Sequence, residues 1–202
     1  MRVARPWFAA GGALVLLIGA LVVYDQIIAS TGGGATGNLI VARDMDSLAQ
    51  MSQMIVVGTV TSEGGVRNIA RDPNDLTRPD PNLTINSQDY SFRIEEALKG
   101  SPAGTITVTS ARSAILNRGV FNRDRPYSNF VPLTVGGRYL LVLRSIDHDP
   151  GVYALALEPS RFELGALAVV RSNWSEARTL FPDRPADDFV RDLRAAIAAA
   201  PR

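Results

Sequence analysis

The 202-residue sequence contains no cysteine, one histidine (His148) and one lysine (Lys99). Without cysteine, a disulfide framework, a thiolate zinc site and a cysteine nucleophile are all excluded. With one histidine, multi-histidine metal centres are excluded as well. Any Ser-His-Asp arrangement would have to run through His148, and no Gly-x-Ser-x-Gly elbow flanks a serine. A charge of one sign is also lacking. The formal net charge is +1, all 20 acidic residues lie from Asp25 onward, and with Arg2 and Arg5 set aside 19 basic side chains face those 20. That balance gives no electrostatic case for nucleic acid as a partner.

One long apolar run is present. Trp7 to Tyr24 is 18 residues without a charge or a strongly polar side chain. As a helix it would span about 27 Å, close to the roughly 30 Å hydrocarbon core of a bilayer. Arg2 and Arg5 precede it and Asp25 follows, so the positive-inside rule places the N-terminus in the cytoplasm and the rest outside. Trp7 and Tyr24 stand at its two ends, where aromatic side chains favour the interface. The rival reading is a cleaved secretory signal, with small residues at Ala29 and Ala35. Its apolar core would normally be shorter than this one. The expected organisation is a cytoplasmic stub (1–6), a transmembrane helix (7–24), a Gly/Ser/Thr-rich flexible linker (25–42) and one extracytoplasmic domain (43–202).

Within that domain, Asp44 to Ser52 reads as a short helix capped by Asp44. Met54-Ile-Val-Val-Gly-Thr-Val60 is a β-branched run, hence a buried strand, with Gly58 suggesting a bulge. Glu63 to Gln88 is turn chemistry throughout and reads as a long loop, from which Thr84 to Asn86 could extend into the strand that begins near Asp89. In Tyr90-Ser-Phe-Arg-Ile-Glu95, Tyr90, Phe92 and Ile94 share one face and Ser91, Arg93 and Glu95 the other, the alternation of a half-buried strand. Gly104 to Ser110 alternates again, with Ile106 and Val108 inward and Thr105, Thr107 and Thr109 outward. Ala111 to Val131 reads as a second long loop. Arg138 to Arg144 and Val152 to Leu157 are strands, Arg161 to Ser172 is two short strands broken at Gly165, and Pro185 to Ala200 is an amphipathic helix.

The order Ile55-Val-Val-Gly-Thr-Val60, then a strand ending Leu98-Lys-Gly100, then Ile106-Thr-Val108, then Leu133-x-x-Gly136-x-x-Tyr139-Leu-Leu141 resembles the netrin-like domain. This is the OB-fold barrel also found in tissue inhibitors of metalloproteinases. It also looks like bacterial membrane-anchored proteins carrying the same run. The resemblance covers roughly Asp44 to Leu157. It implies a mainly β fold: a small closed OB-like (netrin-like) barrel with a short N-terminal helix and a C-terminal helix, preceded by one transmembrane helix. The inhibitors chelate their target's zinc with an N-terminal cysteine, which this chain lacks, so that mechanism does not carry over.

Asp147, His148 and Asp149 have oxygen and nitrogen ligands suited to a cation, yet two carboxylates before Pro150-Gly151 are also what a hairpin turn prefers. Glu95 and Glu96 are adjacent on a strand, face opposite sides and cannot form an acid/base pair with each other. No catalytic residue, metal site or cofactor is expected. The binding candidate is the stretch from Arg112 to Phe130, where Arg112, Arg118, Arg123 and Arg125 alternate with Phe121 and Tyr127, residue types enriched at interface hot spots. The expectation is a membrane-anchored interaction module that docks on another membrane or envelope protein. The alternative is a domain that binds a small molecule or glycan through the same loop, and a hydrolase or metal enzyme ranks behind both.

Overall fold

The computed structural model describes residues 40–102, 104–117, 124–127, 130–146 and 149–200. The apolar segment with its expected ends Trp7 and Tyr24 lies outside these residues, as does most of the linker. Among the described residues, no helix is long and apolar enough to cross a membrane.

Just over half of the described residues are strand, with short helices near the two ends of the described span. Helix α1 (Met45–Met51) begins at a reciprocal cap: the Asp44 carboxylate accepts from the Ser47 N–H at 2.7 Å and Ser47 Oγ accepts from the Asp44 N–H at 3.0 Å. Its Leu48 and Ala49 are buried. The strands are β1 (Met54–Asn68), β2 (Arg71–Asp72), β3 (Asp75–Pro79), β4 (Leu83–Lys99), β5 (Thr105–Leu116), β6 (Asp124–Pro126), β7 (Arg138–Ser145), β8 (Val152–Leu155), β9 (Arg161–Leu164), β10 (Leu167–Val170) and β11 (Arg184–Pro185). Helix α2 (Ala177–Leu180) and the amphipathic helix α3 (Ala186–Ala199) complete the fold.

Strand pairings return on themselves. β1 pairs with β4, β4 with β5, β5 with β8, β8 with β7, and β7 with β1; the β5–β8 contact is parallel and the others are antiparallel. The result is not a clean closed barrel. The β5–β8 contact runs only from Thr107–Val152 to Thr109–Ala154. One edge of β7 is divided, Leu143 to Ser145 facing β8 and Tyr139 to Leu141 facing β9, so the sheet continues through β9 and β10 to β11.

This arrangement explains the two apolar runs. Val56 and Val60 of β1 meet Tyr139, Leu141 and Leu143 of β7, with Tyr90, Phe92, Ile106 and Val108, in the core inside the curled sheet. Ile55 and Val57, with Leu140 and Val142, point the other way, into a second core closed by Leu48, Phe162, Phe181, Phe189 and Leu193. A strand covered on both faces needs apolar side chains at every position. β4 and β5 have only one covered face near Phe92 and Ile106, and so alternate there. Gly58 sits at a register shift between Val57 and Gly58, the bulge expected there.

Two loop expectations are corrected. β1 runs on to Asn68 and pairs with β4 through Glu63–Tyr90, Val66–Gln88 and Asn68–Asn86, and β2 and β3 form a separate hairpin. The turn residues nonetheless act as turns: Asp72, Asp75 and Asp80 each accept from the N–H two residues on, at 2.8, 3.1 and 2.7 Å. Likewise, Ala111 to Leu116 continues β5, and β6 pairs with it. Thr109, expected to face outward, is 1% exposed.

Lys99 fastens α1 to the sheet. Its ammonium donates to the carbonyls of Ala49 (2.6 Å) and Ser52 (2.7 Å) at the helix C-terminus, which otherwise has unsatisfied acceptors. Lys99→Ala is expected to cost about 1.5–3 kcal/mol, the range for hydrogen bonds to a charged group. Urea unfolding followed by circular dichroism measures it, and a loss under 0.5 kcal/mol would show that the cap carries nothing.

Candidate functional site

The expected binding loop is divided by the fold. The register between β4 and β5 shifts so that Ser113 faces Asn86 and Ala111 faces Ser87, with Arg112 left between. A bulge re-aims the side chain it carries, and Arg112 is exposed. Its carbonyl accepts from the Tyr127 N–H at 2.9 Å. Arg125, opposite Ala114 on β6, is also exposed. Tyr127 is 6% exposed and sits in a small apolar cluster with Ala70, Leu83 and Ile85, with Phe130 against it. Arg112 and Arg125 therefore point to solvent at one end of the sheet while Tyr127 holds the segment to it. Arg118, Phe121 and Arg123 lie outside the described residues.

Elsewhere several carboxylates are held by arginines. Asp149 lies 3.6 Å from Arg67 and 3.4 Å from Arg71, and Arg67 also meets Asp89 at 2.6 Å. Guanidinium groups occupy the positions a cation would take at Asp149, whose neighbours Asp147 and His148 fall outside the described residues. Among the described residues, no group of three or more ligating side chains could hold a metal ion. Glu95 accepts from Thr59 at 2.6 Å and from Arg138 at 2.7 Å, while Glu96 accepts from Arg194 of α3 at 2.6 Å. The two glutamates serve different surfaces, as their adjacency requires.

The Thr59 hydroxyl, then Arg138, hold the Glu95 carboxyl below its ordinary value of 4.5. A group with a depressed folded-state pKa stabilises the fold above its unfolded pKa and loses that contribution as pH falls through the folded value. The pair is half exposed, so solvent screens it. Glu95→Gln is expected to lower the melting temperature slightly at pH 7, and the gap from the unchanged protein should close as pH falls below 4.5. A gap constant from pH 7 to pH 3 would contradict this role.

Sequence reasoning missed the polar seam. Where β5 and β8 part beyond Thr109 and Ala154, a cleft of about 70 Å³ opens, lined among others by Ser110, Arg144, Glu158, Ser160 and Arg161. Arg161 is 3% exposed. It donates to the Val131 carbonyl. Burial pushes its pKa down, and the field of Glu158 acts in the opposite sense. Val131 begins a strap across the end of the inner core, which Tyr90 holds by a hydrogen bond with the Leu133 backbone and Tyr139 by accepting from the Thr134 N–H at 3.1 Å. Burial raises the Tyr90 pKa, which keeps its phenol protonated. The period-2 pattern of Arg161 to Leu164 puts Arg161 and Glu163 on one face, and nothing local in the sequence indicates that the strap covers only the first. No known family model and no curated protein matches the sequence.

Proposed function

We propose that this chain is a membrane-anchored, extracytoplasmic interaction module of OB or netrin-like type that docks on another membrane or envelope protein and catalyses no reaction itself. Five strands paired in a circuit, parted at one seam, fit the partly open barrel of that fold class, which binds through a strand face and its flanking loops. The observation that carries the docking reading is the bulge at Arg112. It turns a guanidinium out beside Arg125, with neither in an ion pair among the described residues, while Arg67, Arg71, Arg138 and Arg194 are each engaged by a carboxylate. Arginine unspent on its own fold is available to a partner's carboxylates.

The test is affinity purification of the tagged full-length protein in mild detergent, beside a version beginning at Ser30 exported by a foreign signal and a full-length Arg112→Glu plus Arg125→Glu variant. A protein retained by the first two and lost from the charge-reversed variant places recognition at this end of the sheet. Retention by the full-length chain alone would move it to the apolar segment. No retained protein, from a chain cut near Ala29 or Ala35, would overturn the reading.

A further inference from the structure

The seam between β5 and β8 holds groups that the fold itself does not use. Ser110 is 3% and Ser160 2% exposed. Both line the cleft, and neither hydroxyl has a hydrogen-bond partner among the described residues. These two hydroxyls, on otherwise buried serines, open on one cleft and offer an occupant two donors.

Charge narrows the occupant. Arg144 and Arg161 line the cleft against one carboxylate, Glu158, which already accepts from Ser172 Oγ at 2.7 Å. Arg144 has no ion pair or side-chain hydrogen bond among the described residues, so its charge is left for an occupant to balance. A dianion would be repelled by Glu158, and a cation would be repelled by the arginines. Size narrows it further. At about 70 Å³ the cleft is roughly half the ~150 Å³ cavity that admits benzene, and far below the ~300 Å³ at which pockets for drug-sized ligands begin. Of the lining residues, Arg144 and Ile40 are exposed, so a longer molecule would reach the cleft past them.

We propose that this seam cleft binds a carboxylate group, with the Ser110 and Ser160 hydroxyls donating to its oxygens and Arg144 closing over it from the rim. The carboxylate belongs either to a small free acid or to the end of a larger molecule such as a peptide C-terminus. This site is separate from Arg112 and Arg125 and stands whether or not those residues dock a partner.

The experiment is a titration of the full-length protein in detergent with acetate, observed through the amide resonances of Ser110, Ala154 and Ala156. Acetamide, methylammonium and sodium chloride serve as controls. N-acetylalanine and its primary amide are titrated in parallel. Acetate is expected to give saturable shifts, with Arg144→Gln and Ser110→Ala each weakening the midpoint about tenfold, the loss of one hydrogen bond to a charged group. Arg144 is exposed, so its replacement leaves the fold intact. Saturation by N-acetylalanine but not by its amide, alongside acetate, assigns the site to a chain terminus. Saturation by acetate alone assigns it to a free small acid. No saturable shift with either acid, an equal response to acetamide or methylammonium, or an unchanged midpoint in Arg144→Gln would overturn the proposal.

Discussion

Gly58→Ala is expected to destabilise the domain by about 3 kcal/mol or more. A Cβ built on Gly58 would lie 2.2 Å from the Arg93 carbonyl oxygen and 2.7 Å from Phe92 Cε1. The first neighbour is backbone in the paired strand and the second is a ring 0% exposed, so neither can swing aside. Relief requires β1 and β4 to separate at the point where Gly58 faces Ile94, and β1 also pairs there with Tyr139 of β7. Overpacking into a closed core costs about 1–3 kcal/mol and more when backbone has to move. Urea unfolding of the full-length protein in detergent, read by circular dichroism, gives the value. Gly65→Ala is the control: its Cβ meets nothing within 4 Å, and the replacement should be neutral or stabilising by up to about 0.5 kcal/mol through the unfolded chain. Equal stabilities for the two variants would show that the close approach at Gly58 does not exist in solution.

Phe162→Ala is expected to remove about 3–5 kcal/mol. Phe162 is 1% exposed and joins three elements. Its ring lies 4.7 Å from that of Phe189 in α3 and 5.5 Å, edge-on, from that of Phe181 after α2, while its backbone pairs β9 with both β7 and β10. Loss of the ring leaves a cavity against the helix layer that the divided sheet edge cannot fill, because β7 is fixed on its other side by β1. Trp174 packs on the same cluster, so its fluorescence should report the transition. A loss below about 1.5 kcal/mol would mean that the helices rest on the sheet through other contacts.

How much of this was legible in advance depended on how many faces of each strand are covered. Ile55 to Val60 and Tyr139 to Leu143 were readable because burial on both faces leaves an unbroken apolar run. Helix α1 was readable from Asp44, although its partner in the cap is Ser47. The outer half of β1 was not, and in the first half of β4 only the extension at Thr84 to Asn86 was. Around Glu63 to Asn68 the ribbon is exposed or half-exposed, so no alternation survives, and Gly64-Gly65 mimics a loop. The extension exists because β4 supplies hydrogen bonds across the gap, which is non-local information. Arg112 was named from composition. The bulge that turns it outward and the burial of Tyr127 follow from register, which the residue pattern does not encode at that point. Arg161 was missed for the same reason, since an arginine on a short alternating strand reads as exposed until the Val131 strap is known to lie over it.

The attachment of α1 through Lys99 has a chemical consequence. Apart from the chain's α-amino group, Lys99 Nζ is the sole primary amine in the protein, and it is spent on the Ala49 and Ser52 carbonyls. An acylating reagent needs the amine lone pair free, so it can react there only while the helix is lifted from the sheet or its last turn has frayed. Acylation removes the donor charge and prevents the helix from seating again. Modification at this one position would therefore count openings of α1 against the sheet, one irreversible event per molecule, without any engineered label.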